Sequence, residues 1–70
     1  MQELLKKRRI GRLQKSMGDY SLLAGSAVDA ADHYQTAADL ARACNDFIWL
    51  GGAIEGIAHA RVSSFADRPL

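Results

Sequence analysis

Apolar residues recur at intervals of three and four in the first third of the chain, which is the spacing of one face of an α-helix. They are Ile10, Leu13, Met17, Tyr20 and Ala24. No proline interrupts the segment, and Gly25 follows it. Because glycine adopts the left-handed backbone conformation without a side-chain clash, it commonly ends helices. The pattern predicts a first helix over residues 3–24 with one apolar stripe.

A second segment, residues 27–43, has an alanine-rich side and a mostly polar side. The alanine-rich side contains Ala30, Ala31, Tyr34, Ala37, Ala38 and Ala41. Ser26 precedes the segment and Asp29 lies three residues later, which predicts a capping box in which the serine hydroxyl accepts a backbone N–H bond. The pattern predicts a second helix whose small residues permit another helix to approach closely.

A third segment again shows helical spacing, after turn and capping residues Asn45 and Asp46. Its apolar positions are Phe47, Leu50, Ile54 and Ile57. The segment predicts a helix over residues 46–63, although it contains Gly51, Gly52 and Gly56. Each glycine costs up to about 1 kcal/mol relative to alanine inside a helix, so these positions indicate close packing against another helix. Residues 65–70, which include Pro69, are predicted to form a disordered tail.

Comparison of the chain with itself at a shift of 34 residues, the tetratricopeptide period, aligns several helix positions. The shift places Leu13 over Phe47, Gly18 over Gly52, Tyr20 over Ile54, Leu23 over Ile57 and Ala24 over Ala58. At the positions where the tetratricopeptide repeat favours particular residue types, this chain has Gln14, Met17, Gly18, Ser21, Ala30 and Tyr34. Gln14 and Ser21 depart from the pattern, and Arg42 stands where the repeat usually has proline.

The predicted fold class is therefore all-α, a helical hairpin plus a third helix, with about one and a half degenerate tetratricopeptide-like repeats in a single domain over residues 1–64. Stacked repeats bury their faces against neighbours, and about three are normally needed for stability. The sequence therefore indicates a fragment or a truncated product.

Charge is distributed unevenly although the net charge is only +1. The first 15 residues contain six basic side chains against Glu3. This basic patch comprises Lys6, Lys7, Arg8, Arg9, Arg12 and Lys15. Such a cluster can bind nucleic acid, an acidic protein surface or anionic lipid, or it can be a solvated helix face.

The remaining chemistry-bearing residues predict no catalytic residue, no cofactor and no metal site. His33 and His59 show no compact ligand spacing with nearby acids, and the glycines of the third segment do not form a phosphate-binding motif. Cys44 is the only cysteine and is interpreted as a buried apolar residue in a reducing, cytosolic setting. No apolar run reaches the roughly 18 residues that span a bilayer.

Large apolar side chains of the third segment are the candidates for protein interaction. They are Phe47, Trp49, Leu50 and Ile54. Aromatic residues anchor both cores and interfaces, so the sequence leaves both roles open for Trp49.

Residues 7–58 resemble the large TRAPP II-specific subunit, the family that includes the animal NIK- and IKK-binding protein and its plant and fungal counterparts. The match is carried by Lys7, Arg8, Arg9, Gly11, Arg12, Asp19, Leu22, Leu23, Ala24, Gly25, His33, Tyr34, Asn45, Asp46, Phe47, Trp49, Ala53, Glu55 and Gly56. Ala27 stands where similar plant sequences have proline, and residues 59–70 do not obviously match. The chain resembles a short fragment of that subunit's tetratricopeptide-like region.

The resemblance implies a non-catalytic scaffold segment in a complex that tethers vesicles at the Golgi and activates a Rab-type GTPase. Implied partners are other TRAPP subunits or the rest of the parent chain, with no nucleic acid and no transmembrane segment. Implied localisation is cytoplasmic, with Golgi and peripheral membrane association through the complex. Two alternatives stay open: a free-standing tetratricopeptide-like adaptor, and a basic amphipathic helix that binds acidic lipid or nucleic acid. Steep salt dependence would distinguish the latter.

Overall fold

A computed structural model describes residues 2–66 as three helices in chain order. They are α1 (Gln2–Leu23), α2 (Ala27–Ala43) and α3 (Phe47–Ala66). The predicted all-α class is confirmed, and no strand occurs within residues 2–66. The observed bounds of α2 coincide with those expected from its alanine periodicity.

The third helix is longer than its periodicity predicts. It continues to Ala66, so the first two residues of the predicted disordered tail are helical. The physical reason is that no helix-breaking residue precedes Pro69 in this segment. Residues 67–70, the remainder of that tail, lie outside the described residues.

The connection between α1 and α2 is a Schellman motif centred on Gly25. The amide of Gly25 donates to the carbonyl of Leu22 at 3.1 Å, and the amide of Ser26 donates to the carbonyl of Ser21 at 2.8 Å. Gly25 has φ +84°, the left-handed conformation that glycine adopts without strain. The expected helix end at Gly25 is confirmed.

The connection between α2 and α3 repeats the same hydrogen bonds. The amide of Asn45 donates to the carbonyl of Arg42 at 3.3 Å, and the amide of Asp46 donates to the carbonyl of Ala41 at 2.8 Å. Asn45 has φ +58°, a conformation that asparagine tolerates better than most residues. Both connections therefore reverse the chain within three residues, so consecutive helices run antiparallel.

The hydrogen bond predicted for the capping box at the start of α2 is wrong. The side chain of Ser26 makes no capping bond to the backbone. Its hydroxyl instead donates to a carboxylate oxygen of Asp29 at 2.6 Å. A charged carboxylate is a strong hydrogen-bond acceptor. The bond to Asp29 orients the Ser26 hydroxyl as a donor, in place of the predicted bond in which the hydroxyl accepts a backbone N–H. Asp29 still places a negative charge in the first turn of α2, where the helix dipole favours it.

Helix α2 lies between the other two helices and supplies most of the core. Its buried residues are Ala27, Ala30, Tyr34, Ala37, Ala38 and Ala41. Helix α3 adds Ala53 and Ala60, and the buried residues of α1 are Gly11 and Gly18. The predicted alanine face is confirmed, and the core consists of small residues around one aromatic ring.

Contacts along α2 define the directions of its neighbours. Gly11 of α1 lies opposite Leu40, and Gly18 lies opposite Tyr34. On the other side, Gly56 also lies opposite Tyr34, while Ala60 shares a buried cluster with Ala30. Helices α1 and α3 therefore run parallel to each other and antiparallel to α2. A helical hairpin with a third helix is confirmed, and tetratricopeptide geometry stays a prediction.

Candidate interaction surface

One side of α3 presents large apolar side chains away from α2. We call it the outer face of α3, and it consists of Phe47, Gly51, Ile54, Ala58, Val62 and Phe65. The side chains of Phe47, Ile54 and Phe65 are 67%, 47% and 73% exposed. The six positions recur at helical spacing and fall within one continuous strip of the helix surface.

The structure brings together two of the four side chains that the sequence suggests for protein interaction. Phe47 and Ile54 share the outer face of α3. Leu50 is half-buried and packs against the cluster of Ala37, Ala38 and Ala53. The last of them, Trp49, is half-buried on the side that faces α1, where its ring contacts a guanidinium.

The three glycines of α3 have different surroundings. A Cβ atom added to Gly56 would lie 2.5 Å from Cε1 of Tyr34, and one added to Gly52 would lie 3.5 Å from Cε of Lys15. A Cβ atom added to Gly51 would meet nothing within 4 Å. Close helix packing therefore accounts for Gly56, whereas a Cβ atom at Gly52 would make an ordinary contact with a flexible side chain and Gly51 lies open on the outer face of α3.

A second apolar strip lies on α1. It contains Ile10, Leu13, Met17 and Tyr20, which are 41%, 59%, 39% and 74% exposed. These residues belong to the stripe that the sequence periodicity identifies. Because Gly11 and Gly18 allow α2 to approach on the opposite side, the stripe faces away from the core. The chain thus presents apolar surface on both outer helices.

The basic patch separates into paired and unpaired side chains. The guanidiniums of Arg8 and Arg12 lie 3.8 and 3.1 Å from the carboxylate of Asp46, and the ammonium of Lys15 lies 2.8 Å from that of Asp19. Within residues 2–66, Lys6, Lys7 and Arg9 make no ion pair and are exposed. Arg8 and Arg12 therefore connect α1 to the start of α3, whereas the Lys15 ion pair lies within α1.

The carboxylate of Asp46 is the feature of this region that sequence reasoning missed. The sequence suggests only a turn and capping role for this residue, yet its side chain is 7% exposed and receives the Arg12 guanidinium. The two residues are 34 positions apart, the same separation at which the sequence aligns with itself. That coincidence is the signal that could have paired them.

A second polar network joins α1 to the core. The hydroxyl of Tyr34 donates to Asp19 at 2.5 Å, and the ammonium of Lys15 donates to the other carboxylate oxygen at 2.8 Å. Burial raises the pKa of the Tyr34 hydroxyl, and the hydrogen bond to the Asp19 carboxylate raises it further. Burial alone would raise the pKa of Asp19, but the hydrogen bonds from Lys15 and Tyr34 outweigh it and hold that pKa below its ordinary value.

Other chemistry-bearing side chains take part in packing and local hydrogen bonds. Cys44 is half-buried rather than fully buried, and its thiol lies 3.8 Å from the carbonyl of Ala41. Nδ1 of His33 lies 2.8 Å from the side-chain oxygen of Gln14. Within residues 2–66, no group of three or more potential metal-ligating side chains comes together. In the same part of the chain, no helix combines the length and apolar character needed to cross a membrane.

An antiparallel helical array with a small-residue core and large apolar side chains outside is typical of segments that pack against further protein surface. The chain belongs to the Trs120/TRAPPC9 family, because the family profile described as the Trs120/TRAPPC9 N-terminal domain matches residues 1–62. The resemblance drawn from the sequence is thereby confirmed.

Individual relatives agree with this assignment across plants, animals and fungi. The chain is 65% identical over 51 residues to a trafficking protein particle complex II-specific subunit 120 homolog of Arabidopsis thaliana, which covers 73% of this chain. It is 53% identical over 57 residues to trafficking protein particle complex subunit 9 of Xenopus laevis, covering 81% of this chain. For the complex II-specific subunit 120 of Saccharomyces cerevisiae, identity is 39% over 49 residues, covering 70%.

The matched segment is a small part of those relatives. It spans 4% of the Arabidopsis and Saccharomyces proteins and 5% of the Xenopus protein. No solved structure matches the chain.

Proposed function

We propose that this chain is a non-catalytic scaffold segment of a TRAPP II vesicle-tethering subunit, acting in Golgi vesicle-mediated transport and Rab GTPase activation. Its partners are other TRAPP subunits or the rest of the parent chain. Membership in the Trs120/TRAPPC9 family supports this proposal, since the relatives are named as subunits of a trafficking particle. The proposed location is cytoplasmic, with Golgi association through the complex.

The distribution of apolar side chains carries the proposal. Protein cores normally bury leucine, isoleucine and phenylalanine. Here the buried apolar residues within residues 2–66 are alanines and Tyr34, while large apolar side chains on all three helices are exposed. A segment with this inverted distribution gains stability when a further surface covers its outer helices, because burying apolar area contributes roughly 25 cal/mol per Å².

The outer face of α3 is the proposed docking surface, with Phe47 and Ile54 as its central contacts. Both side chains are exposed and share one strip of the helix. Trp49 and Leu50 belong to the same proposed site as supports, since their contacts lie against α1 and the core. Gly51 leaves open space between the two contact residues, which permits a partner backbone to approach closely.

The unpaired basic side chains at the start of α1 have a secondary role in this proposal. Lys6, Lys7 and Arg9 are exposed, and none of them forms an ion pair within residues 2–66. Exposed charges of this kind change association rates and salt dependence more than affinity. We therefore expect them to accelerate encounter with acidic partner surfaces.

Recovery of TRAPP subunits with the tagged chain tests the proposal. We expect Ile54→Asp to lower recovery about tenfold or more, since loss of an anchoring side chain at the centre of an interface costs about 2 kcal/mol or more. The matched control is Ile48→Asp, which makes the same change at an 87% exposed isoleucine outside the outer face of α3. The control should retain recovery.

A third variant, with Lys6, Lys7 and Arg9 changed to Ser, measures the contribution of charge. Recovery that survives this change at high salt, and that is lost with Ile54→Asp, supports apolar docking. Recovery that depends only on the three basic residues and disappears in salt would instead support binding to acidic lipid or nucleic acid. Equal loss with Ile54→Asp and Ile48→Asp would contradict the outer face of α3 as the docking surface.

A further inference from the structure

We propose that Arg12, Asp46 and Trp49 form a latch that fixes the first turns of α3 against α1. The inference deepens the proposed function, because it names what holds the outer face of α3 in its orientation. The experiments that test the latch use only the isolated chain, so they can disprove the latch even if partner docking is confirmed.

A single guanidinium makes both contacts of the latch. Nε of Arg12 lies 3.1 Å from one carboxylate oxygen of Asp46, and the terminal nitrogen Nη2 lies 3.4 Å from the other. The centre of the same guanidinium lies 4.9 Å from the centroid of the Trp49 ring. Arginine suits this position because its planar group can bind a carboxylate with two nitrogens while stacking on an aromatic face.

The carboxylate of Asp46 is nearly buried and therefore needs cationic partners. Its side chain is 7% exposed, and an unpaired carboxylate at such a position is unfavourable. Asp46 immediately precedes α3, where the helix dipole favours a negative charge. Arg8 provides a second cation at 3.8 Å. Arg12 itself is 42% exposed, so solvent screens part of the attraction, and the hydrogen bonds and ring contact supply the specificity.

The latch adds polar contacts to an α3 interface that is otherwise apolar. Against α2, α3 buries Ala53, Gly56 and Ala60, and Leu50 and Ile57 pack half-buried beside them. Apolar packing of this kind is non-directional, whereas hydrogen bonds depend on the orientation of donor and acceptor. The Arg12 contacts therefore restrain the rotation of the first turns of α3 about the helix axis, and with it the direction in which Phe47 and Ile54 point.

Fluorescence reports on the latch directly, because Trp49 is the only tryptophan of the chain. We expect Arg12→Gln to increase acrylamide quenching of Trp49 and to accelerate exchange about tenfold at the first hydrogen-bonded amides of α3, residues 50–53, as expected from losing hydrogen bonds to a charged group. Arg9→Gln is the matched control, since Arg9 lies on the same helix, is exposed and forms no ion pair within residues 2–66. It should change neither reading.

Three further variants distinguish a latch from a general stability effect: Arg12→Lys, Asp46→Asn, and the double variant that combines Asp46→Asn with Arg12→Gln. Arg12→Lys keeps the charge but loses the planar fork, so quenching should rise while circular dichroism shows unchanged helicity. If Arg12→Gln unfolds the chain, Arg12→Lys still tests the latch, because it keeps the positive charge. Asp46→Asn and Arg12→Gln should each accelerate exchange over residues 50–53, and exchange in the double variant should be close to that in either single variant. Additive effects, or Trp49 quenching that is the same in wild type and Arg12→Lys, would overturn the latch.

Discussion

The ring of Tyr34 lies between two glycines, Gly18 on α1 and Gly56 on α3. A Cβ atom added to Gly18 would lie 2.6 Å from Cε1 of the ring, and one added to Gly56 would lie 2.5 Å from the same atom. Real Cβ contacts are not this short, so either substitution forces a shift. Tyr34 is 1% exposed and is held at its hydroxyl by Asp19, so the ring has little freedom to move aside.

We therefore predict that Gly18→Ala and Gly56→Ala each lower the free energy of unfolding by about 1 to 3 kcal/mol, the usual cost of overpacking. Gly51→Ala is the matched control on α3, because its added Cβ meets nothing within 4 Å. It should be neutral or raise stability by up to about 1 kcal/mol through helix propensity. Urea unfolding followed by circular dichroism measures all three. A Gly18→Ala variant more stable than wild type would show that the Tyr34 ring does not pack closely against Gly18.

The depressed pKa of Asp19 has a consequence for the pH dependence of stability. A carboxylate whose pKa is lower in the folded state stabilises the fold above its unfolded pKa of about 3.9 and loses that contribution as pH falls through the folded pKa. We predict that the melting temperature of wild type exceeds that of Asp19→Asn near neutral pH and that the difference narrows below about pH 4. Asp32→Asn, at an exposed position of α2, controls for loss of one charge. A pH-independent difference would contradict the prediction.

At the level of elements, α2 is the only one of the three described helices that is covered on two sides. Its neighbours are staggered along it, since Gly11 of α1 already lies opposite Leu40 near the end of α2. The preceding turns of α1 therefore extend past α2, where Leu4 and Leu5 are 50% and 54% exposed. At the other end, Ala60 packs against Ala30, so only the end of α3, residues 64–66, extends past the start of α2.

We predict that amide exchange follows this arrangement in dilute solution. Amides near the centre of α2, around Tyr34, should exchange most slowly, because opening them requires separation from both neighbours. Amides of residues 2–8 and 62–66 should exchange fastest, since few buried contacts hold those turns. Mass spectrometry of deuterium uptake measures the pattern. Uniform protection along all three helices would mean that a second surface already covers the ends.

For the whole molecule, the stagger produces an elongated shape of 50 × 17 × 13 Å. An elongated chain of 70 residues has a high ratio of surface to volume, so its apolar residues cannot all be buried. The exposed strips on α1 and α3 are the physical result. In the relatives the corresponding segment is 4% to 5% of a much longer protein, which supplies further chain for packing. Fold and family membership thus agree with the proposed scaffold role.

Local spacing in the sequence determined the helices and the turns. The bounds of α2 and the left-handed Gly25 follow from local helix and turn interactions, and the alanine side of α2 appears in the sequence as a helical period. The same residues, read together, identified the family. The predicted helix end at Ser63 was three residues too early, because the sequence contains no strong stop signal before Pro69.

Only the tertiary structure decided which sides of the helices meet. The apolar stripe of α1 faces outward because Gly11 and Gly18, on the opposite side, allow α2 to approach more closely than large side chains would. The same packing left Gly51 open and placed Gly56 against Tyr34. The contact of Arg12 with Asp46 joins residues 34 apart, and such pairs depend on how α1 and α3 are placed along α2. Periodicity shows that a helix has an apolar side, whereas the choice of buried side depends on the closest packing available among all three helices.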